Sequence, residues 1–416
     1  MSIALVAALD TKAEDAAFLA SRLRSRGHEV VVVDVGVLGE PGLPVDVPRA
    51  VVARAGGSSI EALVARRDRS TAVAVMTRGA AHVLADLHAR GPLAGALAIG
   101  GGAGTTIGAT ALRALPLGLP KVVLTTLAAE TGRFVGTSDV VLFPSIVDVA
   151  GVNRISRVSY ARAADALAGM VEGAPEPPAS ERDRPLVAAT MFGVTTPCVQ
   201  RAKDRLEAAG CEVLVFHACG AGGRMMERLV DDGLVDAVLD ITTTEWADEV
   251  VGGILTAGPH RLEAAARAGI PQVVSLGATD MVNFGPLRTV PSRLRGRCLY
   301  EHTADSTLLR VTPEEATEIG RAIGRKLRGA GDHATVVVPR RGVSALDDAG
   351  APFDDPRARA ALAAAVRGEL AGTAVQYEEH DLHINDDVFA DRLAQRVLEQ
   401  LEAVGHAPRG EPAQAR

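Results

Sequence analysis

The sequence predicts an α/β fold: two Rossmann-like, doubly wound parallel-sheet domains related by internal duplication. Three observations carry this expectation. Short aliphatic runs (IALVAAL, EVVVVDV, GALAIG, KVVLTT) alternate with longer helix-patterned stretches, as expected for a sheet buried on both faces. The same order of runs occurs twice in the 416 residues, and a proline- and charge-rich stretch, VEGAPEPPASERDRP, separates the copies. Hydrophobic residues make up 47% of the chain but aromatics only 3%, so its cores are built of Ala, Val and Leu, which suits helices packed closely on sheets.

Taken in order, the first apolar run ends at Asp10-Thr11-Lys12, and AEDAAFLASRLRSRG then reads as a helix leading into the strand EVVVVD. The second copy repeats this. Val6-Ala7-Ala8 matches Val187-Ala188-Ala189, and Gly27-His28-Glu29-Val30 matches Gly210-Cys211-Glu212-Val213. Further on, GPLAGALAIGGGAGTT parallels DGLVDAVLDITTTEWA, and LGLPKVVLTTLAA parallels AGIPQVVSLGATD. Each half therefore gives strand, helix, strand, helix, strand, turn, helix, strand, the pattern of right-handed parallel crossovers. The expected boundaries are a first domain at 1–172, a linker at 173–184, a second domain at 185–408 and a disordered tail at 409–416. Arg154 and Arg157 fall at the start of a long helix. Thr312-Pro313-Glu314-Glu315 is a helix start with an N-cap, proline at the first position and an acidic first turn.

Composition excludes several classes. A net charge of −7 with no dominant Lys/Arg cluster argues against a nucleic-acid surface. The N-terminus reads as a first strand without a basic leader, and no apolar stretch reaches the ~20 residues that span a bilayer, so a cytoplasmic protein is expected. The four cysteines show no C-x-x-C pair and no zinc spacing, and buried thiols are the ordinary reading of Cys211 and Cys219.

Ligands of open α/β sheets sit beyond the carboxyl ends of the strands, so chemistry is sought in the loops after them. In the first half these are Asp10-Thr11-Lys12, Asp34-Val35-Gly36, the glycine turn IGGGAGTT and Thr125-Thr126. The turn lacks the lysine of a P-loop and the spacing of a dinucleotide fingerprint. Backbone amides of Gly101, Gly102, Ala103 and Gly104, ahead of a helix expected from Thr105, can still face an anion. Thr105 and Thr106 add hydroxyls, Lys12 a counter-charge from a separate loop, and Asp10 either a magnesium-bound water or a helix cap. The alternative is that the glycines allow tight strand-to-helix packing and Asp10-Thr11 caps a helix. The second copy has Thr242-Thr243-Thr244-Glu245 in place of the glycines, which points to a specialised first domain.

The strings DTK, IGGGAGTT, VGTSDVVLFPSIVDVAGVNRISR, VLDITTTEWADEVVGGILTAGPHRLEAA and HINDDVFA resemble the Tm-one-like ATP-binding family over nearly the whole chain. That resemblance implies two Rossmann-like subdomains, ATP with Mg²⁺ in the first, and self-association. A homodimer is expected from it and from symmetry statistics. Few aromatics are present to stack on a base, so aliphatic side chains and backbone are expected to hold the adenine.

The second half carries His217 at a strand end, Glu245 and Asp248 after TTT, Asp280 and Asn283 after another strand, His302, and the run EEHDLHIND. His217, Glu245, His302 and His383 form the candidate reaction centre for an unidentified small molecule. The three histidines could alternatively bind a metal. For the last run the ordinary reading is a helix start, with Asn385 as N-cap and Asp386-Asp387 in the first turn. A non-enzymatic, ATP-dependent binding role remains the alternative function, and in that case these polar groups should not converge.

Overall fold

The computed structural model describes residues 2–173 and 184–406. The predicted linker (173–184), apart from its two end residues, and the predicted tail (409–416) lie outside the described residues. The chain divides into two compact units, Met1–Glu176 and Pro177–Arg416.

The first unit runs β1 (Ser2–Ala7), α1 (Ala13–Ser25), β2 (Glu29–Asp34), α2 (Arg49–Ala55), α3 (Ile60–Arg66), α4 (Arg69–Arg90), β3 (Gly95–Gly100), α5 (Gly102–Arg113), β4 (Lys121–Thr125), α6 (Thr131–Val135), β5 (Val141–Pro144) and α7 (Arg154–Glu172). Its five strands are all parallel in the order β2-β1-β3-β4-β5. Alternation along β1 shows the double winding. Ile3, Leu5 and Ala7 pack with Leu19, Leu23, Tyr160 and Leu167 of α1 and α7, while Ala4 and Val6 join Met76, Leu84, Ile107 and Leu112 of α4 and α5. Helix starts follow local chemistry. Ser59 and Asp68 cap α3 and α4, and Asn153 makes a capping box with Ser156 at α7.

The second unit runs β6 (Leu186–Met191), α8 (Thr196–Ala208), β7 (Glu212–His217), α9 (Ala221–Asp231), β8 (Ala237–Thr242), α10 (Glu245–Val251), α11 (Ala264–Ala268), β9 (Gln272–Gly277), β10 (Met281–Phe284), β11 (Leu299–Thr303), β12 (Ser306–Arg310), α12 (Pro313–Leu327), β13 (Ala334–Pro339), α13 (Pro356–Leu370), β14 (Gln376–His380) and α14 (Asp387–Ala403). Its parallel sheet has the order β14-β13-β9-β8-β6-β7. Counted within each sheet, the first four strands therefore follow 2-1-3-4 in both units.

Three differences from the sequence expectation stand out. Between β9 and β13 the second unit inserts a three-stranded antiparallel sheet, β10-β12-β11, which the duplicated pattern did not contain. Helix α5 begins at Gly102, not Thr105, because the ladder already starts with the Thr105 amide donating to the Gly101 carbonyl at 2.8 Å, despite the low helix propensity of Gly102 and Gly104. The N-cap of α14 is Asp386, not Asn385. The Asn385 side chain is instead held by the Val194 carbonyl and the Cys198 amide. The start of α12 matches: Thr312 and Glu315 close a capping box behind Pro313. Cys211 is buried as expected, whereas Cys219 is only half-buried.

Candidate functional site

In the first unit the strand order reverses between β1 and β3, so the loops carrying Lys12 and the glycine turn flank the switch point. The glycines there divide into two kinds. A Cβ on Gly100 would lie 2.6 Å from the Gly104 Cα, so strand and helix can approach this closely only without side chains. A Cβ on Gly102 would meet nothing within 4 Å, and on Gly101 only Thr126 Oγ1 and an Asp148 carboxylate oxygen at 3.9 and 4.0 Å. Packing explains the first kind and leaves the second open.

The open side is a cavity of about 520 Å³. Its walls are Arg69, Ser70 and Val73 from the start of α4, Gly102, Ala103 and Thr106 from the first turns of α5, and Leu127 and Arg133. The N-terminus of α5, which no side chain caps, thus faces this space beside two guanidiniums, an arrangement that suits an anion, whereas Asp68 already caps the N-terminus of α4. Arg133 is paired with Glu130 at 3.0 Å, while among the described residues Arg69 has no carboxylate partner. Val73 and Leu127 supply the apolar wall.

The other residues predicted for this site have structural partners. Asp10 accepts hydrogen bonds from the amides of Val37 (3.0 Å) and Leu38 (2.9 Å) and from the Thr11 hydroxyl (3.3 Å), so its carboxylate holds the turn after β2. Gly36 serves that contact, since a Cβ there would lie 2.8 Å from the Asp10 carboxyl carbon. Lys12 donates its ammonium to the Val149 carbonyl and tethers the loop after β5. Thr105 is fully buried, its hydroxyl shared between the Gly100 carbonyl (3.2 Å) and Thr125 Oγ1 (2.6 Å). Thr106 lines the cavity and donates to the Gly102 carbonyl. The tethered loop places Asp148 beside Gly101, so the glycine turn and the Lys12 loop do meet, through the segment Asp148-Val149. Arg69, Arg133 and Asp148 had no signature in the sequence; a lone Arg or Asp in a polar loop is indistinguishable from a solvated one.

The second unit does not gather His217, Glu245, His302 and His383 into one centre. His217 is exposed at the end of β7 and stacks on Phe192, with ring centroids 5.2 Å apart. His302 is exposed in the β11–β12 hairpin. His383 is buried with both ring nitrogens engaged: Nδ1 accepts from the Asn385 amide (3.1 Å), so Nε2 carries the proton and donates to the Ser344 carbonyl (2.9 Å). Glu245 is buried against Arg261 at 2.7 Å and accepts from the Gly220 amide at 2.6 Å. Arg261 also pairs with Asp240 at 2.5 Å and Glu227 at 3.1 Å, a closed ionic cluster. Among the described residues no group of three His, Cys, Asp or Glu side chains is arranged to hold a metal ion.

Around the switch point of this unit, between β6 and β8, side chains fill the space that is open in the first. Thr195 and Thr242 share a hydrogen bond at 2.8 Å, and Thr190 donates to Asp240 at 2.7 Å. Elsewhere in this unit burial pushes several carboxyls upward in pKa. Asp248, held by the Asn283 side chain and amide, rises to about 6. Asp280 rises through burial and the nearby Asp347 carboxylate, with Ser344 donating to it at 2.8 Å. Glu227 is raised by burial despite Arg261.

Fold and site together define a two-unit parallel α/β protein whose first unit presents an arginine-flanked helix N-terminus and whose second is closed by its own side chains. The chain belongs to the Uncharacterised protein family (UPF0261). The family's N-terminal domain profile matches residues 1–176 and its C-terminal domain profile residues 184–401. A UPF0261 protein of Clostridium tetani is 45% identical over 96% of this chain and 99% of its own length. One of Rhizobium meliloti is 45% identical over 94% and 96%. The ToMV resistance protein Tm-1(GCR237) of Solanum lycopersicum is 42% identical over 80% of this chain but 45% of its own length, so the chain spans less than half of that relative. The glycosyltransferase VinC aligns over 95% of this chain at 13% identity with a TM-score of 0.19, too low to carry an argument. No helix among the described residues is long and apolar enough to cross a membrane.

Proposed function

We propose that the first unit binds a nucleotide through its phosphates, ATP with Mg²⁺, in the cavity at the start of α5. The observation that carries this reading is Gly102, a glycine at a helix N-terminus that no packing contact requires and that opens onto a cavity flanked by arginines. Backbone amides approach the phosphates, Arg69 and Arg133 supply the counter-charge expected of Lys12, and Val73 and Leu127 cover the base. Asp148, one of whose carboxylate oxygens accepts from the Val149 amide, and Thr126 lie beside Gly101 and fit a hydrated magnesium ion better than Asp10, whose carboxylate holds the turn after β2. When bound, the ion would neutralise phosphate charge.

The dispersal of His217, Glu245, His302 and His383 favours an ATP-dependent binding protein over an enzyme using that set. Calorimetry of ATP with Mg²⁺ on wild type, Gly102→Val and Arg69→Ala/Arg133→Ala, with phosphate release followed in parallel, tests both points. Micromolar binding lost in the variants, without release, is the expected result. Unchanged ATP affinity in Gly102→Val would end the nucleotide reading of this cavity, and steady release would end the non-enzymatic one.

A further inference from the structure

A second recess lies in the other unit, away from its switch point. It is a groove of about 320 Å³ at the carboxyl edge of β13, where Arg340 follows the strand directly and α13 begins. Three arginines line it, Arg340, Arg359 and Arg367, against one carboxylate, Glu379. Glu379 is already shared: it accepts from Arg367 (2.9 Å) and the Tyr377 hydroxyl (2.9 Å), with Arg340 at 3.7 Å.

Arg359 is the buried member. Its side chain is only 11% exposed, and its Nη1 is fully used by Asp347 and Asp354, at 2.9 and 3.0 Å. Its Nε is buried with no acceptor among the described residues. The wall of α13 over the groove carries Ala360, Ala363 and Ala364, small residues that leave the space unfilled.

We propose that this groove is an oxyanion site of the second unit, taking the phosphoryl or carboxylate end of a small molecule between Arg340, Arg359 and Arg367. Planar guanidinium forks match the two or three oxygens of such a group, and with Arg359 balanced by Asp347 and Asp354, Arg340 and Arg367 outnumber Glu379, which favours an anion over a cation or a neutral ligand. The volume is near the lower end for small-molecule pockets, which points to a compact ligand rather than a nucleotide. The site uses none of the residues assigned to ATP and does not depend on that reading.

Inorganic pyrophosphate is the probe, titrated calorimetrically into the chain carrying Gly102→Val, so that the first-unit cavity is obstructed. One pyrophosphate per chain is expected at or below about 1 mM, weakened at least about tenfold by Arg340→Ala/Arg367→Ala. Both arginine side chains are 62% exposed, so the double variant keeps the fold, which its unchanged melting temperature verifies. Undiminished binding in the double variant, or no binding in its parent, overturns the proposal. Should Gly102→Val leave ATP binding intact, the nucleotide reading falls while this one is still judged by the loss at Arg340 and Arg367.

Discussion

The two units share the strand order 2-1-3-4 and differ most where that order makes a ligand site. In the first, the loop after β3 is bare backbone facing a cavity of about 520 Å³. In the second, the equivalent loop after β8 is Thr242-Thr243-Thr244-Glu245, all buried, with Thr242 and Thr243 hydrogen-bonded and Glu245 ion-paired into the core. A duplicated sheet thus provides two switch points, but whether one can take a ligand depends on the side chains placed over it. Glycine leaves the amides accessible, whereas threonine and a buried ionic cluster close the space.

The strongest way to break the comparison is Arg261→Met. If the second switch point is closed by a mutually dependent charge cluster, removing its one cation strands Asp240, Glu245 and Glu227 in the core. A loss of about 3–5 kcal/mol is expected, read as a lowered denaturant midpoint for the second unit. A loss under about 1 kcal/mol would mean that the cluster is not what closes the site.

Next in size is a pH effect confined to the second unit. Folding raises the Asp248 carboxyl to about 6, so the folded chain holds this proton more tightly than the unfolded one. The corresponding stabilisation is fully present below about pH 4 and is lost as pH rises through about 6. A shift of about two pKa units corresponds to about 3 kcal/mol across that window, which Asp248→Asn should remove from the pH–stability curve. An unchanged slope in the variant would exclude Asp248 as its source.

The smallest effects sharpen the first-unit side. Gly100→Ala places a methyl group 2.6 Å from a backbone carbon and should cost about 1–3 kcal/mol, while Gly102→Ala meets nothing and should leave the melting temperature unchanged or slightly raised. Equal losses at both positions would return the whole turn to packing.

Much of this was legible in the chain itself. The duplication, the parallel sheets and the cap at Thr312 follow from patterns that can be read along the chain. The start of α5 is not legible there because Gly102 and Gly104 disfavour a helix by propensity. The inserted antiparallel sheet leaves little trace in the sequence because β10, β11 and β12 are only four or five residues long and lie outside the repeated pattern. At the candidate site, the glycine turn was visible but its cationic partners were not. Lys12 was the natural choice by proximity to a strand end, yet it tethers Val149, and the guanidiniums come from α4 and α6.

What the sequence determined by itself is therefore the periodic and the local: strand and helix identity, their order, the repeat, and the presence of glycine where a strand turns into a helix. Hydrophobic periodicity and capping act within one or two helical turns, so they can be read along a line. Only the tertiary structure decided that Gly102 is open while Gly100 is not, that Arg261 unites three carboxylates, and that Arg340, Arg359 and Arg367 share one groove. Such contacts are set by the way layers pack across tens of residues of chain, and the strength of a charge interaction follows the burial that this packing imposes.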